Sequence, residues 1–279
     1  MLGKDWRLIF TGPRNGADNM AIDEALLDGF DPGASRPVLR LYGWNPPALS
    51  LGRFQDPDRV LDLPRCRQGR VDVVRRITGG GVIYHDDELT YAIVCAPRHL
   101  PFPMSVRDSY RTLNRFLLAF YRGLGLRAGY AVDEFDGTPE ASGLGARTSF
   151  CYAGLESFDI LVEGRKVGGN AQRRTRDAIF QHGSIPLQDR LETAVGFLRE
   201  KPSGLDRSVA SLSTLGVRIP KETLMRGLAD AFAAALGVTL VPSALTCAER
   251  EKVAALAEGR YALPRDGPAP PVTAAPGTA

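Results

Sequence analysis

The sequence predicts an α+β fold. Strand-like runs crowd the first 190 residues, one long amphipathic helix interrupts them at 105–124, and only helical patterns follow residue 190. "ADNMAIDEALLDGF" (17–30) reads as a short amphipathic helix with Asp18 or Asn19 as N-cap. "PVLRLYGW" and "ALSLGRF" read as strands turned at Pro46-Pro47, and "VDVVRR", "GVIYH" and "LTYAIVCA" continue the sheet. In 105–124, Val106, Tyr110, Leu113, Leu117, Phe120 and Leu124 share one face, and Ser105 with Asp108 resembles a capping box. The polar, Gly-rich stretch 133–149 predicts a mobile loop. "SFDILVEGRKVGGNAQ" predicts two strands joined at Glu163-Gly164, and "AIFQHGSIPL" a third. Then come the helices "RLETAVGFLRE", "KETLMRGLADAFAAALG" and "CAEREKVAALAEGRYA". The expected organisation is a core over 1–190, a helical region over 191–263 and a disordered Pro/Ala-rich tail over 264–279.

Composition narrows the classes. The chain has 279 residues, 44% hydrophobic and 24% charged, ordinary for a soluble globular enzyme. No run approaches the roughly 18 apolar residues of a membrane span, and the N-terminus lacks a signal-peptide pattern, so the expected compartment is the cytoplasm. A net charge of +3 suits acidic protein partners and is too weak to imply nucleic acid. Four scattered cysteines and three scattered histidines offer no metal-ligand spacing and no disulfide framework.

Gly79-Gly80-Gly81 stand between two strands. A Walker-type phosphate loop and a dinucleotide fingerprint both require a helix after the glycines, so the context excludes them. Two readings stay open. One is a bulge or tight corner of the sheet. The other is a side-chain-free stretch that a ligand carbonyl, carboxylate or phosphate approaches closely, between Arg75-Arg76 and His85-Asp86.

"RRITGGGVIYHD" (75–86) resembles the RRxxGGGxVxHD signature of the lipoate/octanoate/biotin transferase and ligase superfamily. "GRKVGGNAQRR" followed by "QHGSIPL" is similar to the GxKxxG(S/N)AQ…QHG pattern of its lipoate branch, and "NMAIDEALL" and "RLYGWNPPALSLGRFQ" match its opening segments. The resemblance runs in family order from about residue 7 to about 258. It implies a biotin/lipoate ligase-like mixed β-sheet core flanked by helices. In that core a narrow tunnel for an eight-carbon acyl chain lies between the glycine loop and the lysine strand. On this mapping Arg75, Arg76, Thr78, Gly79, Gly80, Gly81 and His85 line the tunnel, and Lys166 contacts the acyl carbonyl or acyl-adenylate. Gly169, Asn170 and Ala171 follow that lysine, Asn170 standing where serine is usual, and His182 belongs to the last motif.

The superfamily divides into ATP-dependent ligases and transferases that work through a cysteine thioester. "CYAGLESFDI" resembles the CFxxxxxYE-like segment of the octanoyltransferase branch, with Cys151 at its head and Phe158-Asp159 at the matching offset, though the usual proline is missing. An ordinary thiol has a pKa of about 8.5, which neighbouring cations lower. Lys166, Arg75 or Arg76, and His85 are the candidates to do so. A Cys151 thiolate would attack a thioester carbonyl, and the Lys166 ammonium would stabilise the oxyanion. His85 could move protons, but a preformed thiolate needs no obligate base. His182 either touches substrate or only shapes the pocket, and His99 reads as a surface residue. Cys66, Cys95 and Cys247 read as structural or incidental, and Asp23-Glu24 as ion-pairing groups.

The resemblance therefore implies an acyltransferase. Its octanoate would come from acyl carrier protein and go to the lysine of a lipoyl domain or glycine cleavage H protein, without a cofactor. The alternatives are an ATP- and Mg-dependent lipoate–protein ligase, a transferase from H protein to other lipoyl domains, and a non-catalytic lipoate-binding protein.

Overall fold

A computed structural model describes residues 4–100, 105–138, 142–146, 148–202 and 205–262. The tail expected to be disordered (264–279) lies outside these residues, as do positions 139–141 and 147 of the stretch expected to be a mobile loop.

The chain opens with a strand the sequence reading did not anticipate, β1 (Asp5–Arg14), and then α1 (Gly16–Asp28). Asn15, not Asp18 or Asn19, caps α1, its side chain accepting the Asp18 N–H at 2.7 Å. Nor is α1 amphipathic: eleven of its thirteen residues are buried, because sheets and the C-terminal helix enclose it. Next come β2 (Val38–Trp44) and β3 (Ala48–Leu51), the short helices α2 (Pro57–Val60) and α3 (Leu63–Gln68), and the strands β4 (Asp72–Arg75), β5 (Ile83–His85) and β6 (Glu88–Cys95). Helix α4 (Val106–Gly123) starts at Ser105, whose hydroxyl accepts the Asp108 N–H at 3.1 Å. Leu113, Leu117 and Phe120 of its expected face are buried, but Val106 at its first turn is 55% exposed.

After β7 (Ala128–Tyr130) and the helical turn α5 (Ala131–Glu134) come β8 (Ile160–Val162) and β9 (Arg165–Lys166). These two strands form the expected hairpin, with Glu163 and Gly164 at φ 53° and 71°, the positive values that suit a two-residue turn. The remaining elements are β10 (Gly169–Arg174), β11 (Ile179–Pro186), α6 (Leu191–Gly196), α7 (Leu205–Ser208), α8 (Lys221–Leu236), β12 (Thr239–Pro242) and α9 (Cys247–Glu258). The part read as helical thus also contains a strand.

Three sheets result. The largest is mixed, in the order β10-β11-β6-β2-β1-β12, with parallel pairs only around β1. A three-stranded sheet, β4-β3-β5, faces it, and β7-β8-β9 forms a third. Pro46-Pro47 therefore joins strands of two different sheets. One face of the large sheet packs on α4 and α8 through Trp6, Phe116 and Phe232, and Met20, Ile22 and Leu26 of α1 pack with Tyr42, Val94 and Phe180 from the other face. Residues far beyond 190 close both cores, Phe232 the first and Tyr261 the second.

Candidate active site

The three consecutive glycines play three separate parts. A Cβ on Gly79 would meet nothing within 4 Å. Gly80, at φ 94°, occupies the left-handed region that favours glycine, and its backbone lies against Arg76. Gly81 is where another segment crosses: the Val82 N–H donates to the Ser149 carbonyl at 2.9 Å and the Cys151 N–H to the Val82 carbonyl at 3.0 Å.

Arg76 stakes this corner from inside. Its guanidinium donates to the carbonyls of Ser50 (2.6 Å), Gly79 (2.7 Å) and Gly81 (2.8 Å) and to the Thr78 hydroxyl at 3.2 Å. Burial pulls its pKa to about 10, with the Cys151 charge acting in the opposite direction.

Cys151 opens a short helical turn, Cys151–Ala153, and its Sγ would lie 2.8 Å from a Cβ placed on Gly169. Lys166 reaches the same turn from β9. Its Nζ donates to the carbonyls of Cys151 (2.9 Å) and Gly154 (2.8 Å) and pairs with Asp159 Oδ2 at 2.6 Å. The Lys166 and Asp159 side chains are 2% and 3% exposed. Burial alone would lower the lysine pKa, yet the charges of Asp159 and Cys151 leave it raised.

A narrow cavity starts at Gly169 and runs between the large sheet and the β4-β3-β5 sheet. Its floor is one cross-strand row, Gly169–Ser184–Thr90–Tyr42, which spans three interstrand steps, about 14 Å. Ser50, Ile83 and His85 face it from the small sheet, and Met20 and Trp44 close its sides.

The polar groups around this cavity bond to one another. His85 shares its ring nitrogens between Ser50 Oγ (2.7 Å) and Glu88 Oε1 (2.8 Å) and stacks on Trp44, centroids 4.0 Å apart. Trp44 Nε1 donates to Thr90 Oγ1 at 2.7 Å, and Ser184 Oγ to Glu88 Oε2 at 2.5 Å. His182 Nε2 lies 2.7 Å from Thr78 Oγ1, with its Nδ1 3.5 Å from Asp23 Oδ2. Burial lowers the His182 pKa and keeps the ring neutral, against the opposing pull of Asp23. With their hydrogen-bonding capacity spent internally, these side chains leave a surface that suits an apolar chain.

Of the residues expected to form the site, Arg76, His85, Gly169, Ala171 and His182 line the cavity. Thr78 stands behind His182, and Gly79, Gly80 and Gly81 form the adjoining corner. Asn170 is turned away, its side chain accepting from the Tyr91 hydroxyl. Arg75 also points elsewhere, holding the carbonyls of Gly52, Arg53 and Gln55. Asp23 and Glu24 are ion-pairing groups as expected, with Arg40 and Arg260 respectively. Cys66 and Cys95 are buried, which raises their pKa to about 11 and about 12, and Cys247 is exposed.

Sequence reasoning missed Ser50, Glu88, Trp44 and Met20. Glu88 carried a usable signal, a carboxylate three residues after His85. Among the described residues no cluster of His, Cys, Asp or Glu could hold a metal ion, and no helix is long and apolar enough to cross a membrane.

The lipoyl protein ligase A/B catalytic domain family matches residues 15–233. The octanoyltransferase LipM of Halalkalibacterium halodurans is 35% identical over 265 residues, covering 92% of this chain and 96% of its own. Among solved structures, a lipoate-protein ligase A bound with ATP superposes with a TM-score of 0.76 at 23% identity, over 92% of this chain and 96% of that one. A bi-partite lipoate protein ligase with its E2 lipoyl domain from Thermoplasma acidophilum gives a TM-score of 0.75 at 22% identity, over 92% and 93%. At that identity the two structures share the fold, and the sequence matches carry the family: this chain belongs to the lipoyl protein ligase A/B catalytic domain family and is an acyltransferase.

Proposed function

We propose that the chain moves octanoate from octanoyl-acyl carrier protein onto Cys151, and from there to the lysine of a lipoyl domain or glycine cleavage H protein, in lipoate biosynthesis. The observation that carries this reading is the Cys151 sulfur resting against Gly169, the first residue of the cavity floor. An acyl group bonded to that sulfur has an apolar channel directly beside it. In the first step the Cys151 thiolate attacks the thioester carbonyl, a tetrahedral oxyanion forms, and the carrier's thiolate leaves. In the second, the neutral amine of the acceptor lysine attacks the acyl-cysteine, an amide forms, and the Cys151 sulfur departs and takes up the proton the amine gives up.

Thioester exchange is close to isoenergetic and amide formation runs downhill, so the sequence requires neither ATP nor a metal. Lys166 and Arg76 are the nearby cations that favour the thiolate and the oxyanion. Octanoyltransferase relatives support the acyl group and reaction class. The solved ligase with its E2 lipoyl domain supports the kind of acceptor.

Intact-mass spectrometry after mixing with octanoyl-carrier protein tests the proposal. The expected result is a gain of one octanoyl group, labile to hydroxylamine and mapped to Cys151, with no acylated acceptor formed by Cys151→Ala. Acceptor acylation by Cys151→Ala at the normal rate, or an adenylate formed from octanoate and ATP, would replace this mechanism with ligation.

A further inference from the structure

The Lys166 ammonium has three N–H groups and three short contacts: Asp159 Oδ2 at 2.6 Å and the carbonyls of Cys151 (2.9 Å) and Gly154 (2.8 Å). Two of the three are the main chain of the turn that carries the sulfur. Asp159 is itself pinned, its N–H donating to the Glu156 carbonyl and its carbonyl accepting from Ala131, both at 3.0 Å, while Oδ2 also accepts the Glu156 N–H at 2.9 Å. A buried amine without a counter-charge gives up its proton rather than remain ionised.

From this geometry we infer that Asp159 is the positioning residue of the site: it keeps Lys166 protonated and aimed at the Cys151–Gly154 turn, so that the ammonium fixes the turn and favours the Cys151 thiolate. Asp159 acts only through the lysine and touches no reacting atom. The inference rests on Cys151 being the acylated residue, but its test needs no acyl group. Glu156 and Cys151 face Lys166 alongside Asp159, and Arg76, Tyr110 and Tyr152 face Cys151. Arg76, pulled down to about 10 by burial, is unchanged in every variant compared, so its titration at the top of the range is a background common to all the profiles.

The experiment is iodoacetamide alkylation of the full chain across pH 6–10, read peptide by peptide, with exposed Cys247 as the internal control. Asp159→Asn is expected to move the midpoint of the Cys151 profile up by about one unit, a tenfold lower rate at pH 7. Asp159→Glu should restore the original midpoint. Lys166→Met should shift the profile as Asp159→Asn does, and adding Asp159→Asn to Lys166→Met should change nothing further. The double variant has no unpaired charge and Asp159→Glu keeps the pair, so a raised midpoint in the first and an unmoved one in the second carry the comparison if Asp159→Asn or Lys166→Met fails to fold. Superimposable profiles for Asp159→Asn and the wild type, or additive shifts in the double variant, would overturn the inference. Altered profiles without octanoyl transfer would leave this inference standing and remove the proposed function.

Discussion

The backbone of Cys151 passes directly over Gly81: a Cβ on that glycine would lie 2.7 Å from the Cys151 nitrogen and 2.8 Å from the Phe150 carbonyl carbon. Neither neighbour is a flexible side chain that can swing away. Gly81→Ala must therefore push the cysteine segment off the corner. We expect acylation of Cys151 to fall at least a hundredfold, with a stability loss of about 1–3 kcal/mol. Gly79→Ala, whose methyl meets nothing within 4 Å, should keep both within twofold of the wild type. Single-turnover acylation and urea unfolding of the two variants check the contrast.

That crossing also marks what could be read from the residues alone. The Glu163-Gly164 hairpin and the Ser105-capped helix were legible because local turn and cap chemistry decides them. The glycine corner was visible as an anomaly, but its occupant was not, since Cys151 lies seventy residues away in sequence and meets it only through sheet pairing. Helix α1 misled for a related reason: its pattern reads as amphipathic, yet its polar Asn19, Asp23 and Glu24 are each buried with a distant partner, Gly43 and Arg40 for Asn19, Arg40 for Asp23, Tyr261 for Glu24. Strand β12 is only four residues long and stood between two strong helical patterns. The polar residues around the cavity were hidden likewise, because a serine or glutamate inside a strand announces no partner until the fold supplies one.

Asp23 gives the site an acid limit. Burial raises its pKa, but Arg40 at 2.6 Å, together with His182 and Tyr42, leaves it lowered overall. Burial also lowers the His182 pKa, while Glu88, opposed by burial, is lowered by His85, Ser184 and Thr90. In all three cases the folded value lies below the unfolded one, so the unfolded chain binds more protons and stability falls as pH falls. The loss should start below about pH 6.5 as His182 favours the unfolded chain, and steepen below about pH 4 as the carboxylates follow. Asp23→Asn should cost about 3 kcal/mol at pH 7 by leaving Arg40 without its counter-charge. It should also flatten the acid limb. Urea midpoints measured from pH 4 to pH 8 on both proteins decide it.

Met20 sits on α1 at the side of the cavity, 3% exposed. Shortening it adds room along the proposed acyl channel without touching Cys151 or Lys166. Met20→Ala should lose about 2–4 kcal/mol of stability through the cavity it leaves. In competition between octanoyl and decanoyl donors, it should move the acyl-enzyme ratio several-fold toward the longer chain, read by intact mass. An unchanged ratio would place the acyl tail elsewhere in the protein.

The two arginines ahead of the glycines should answer differently to the same substitution. Arg76 spreads its bonds over Nε, Nη1 and Nη2, reaching Thr78, Ser50, Gly79 and Gly81 in four directions from one buried plane. An ammonium is a single point and cannot span that fork, so Arg76→Lys leaves buried carbonyls unpaired. The expected cost is about 2–3 kcal/mol, with a ten- to hundredfold drop in Cys151 acylation as the corner loosens. Arg75 makes all three of its main-chain bonds through Nη1 alone, to Gly52, Arg53 and Gln55, a task a lysine can imitate. Arg75→Lys should stay within about 1 kcal/mol of the wild type and acylate normally. Urea unfolding and single-turnover acylation on the pair test this, and equal losses at both positions would mean that charge, rather than the geometry of the fork, holds the corner.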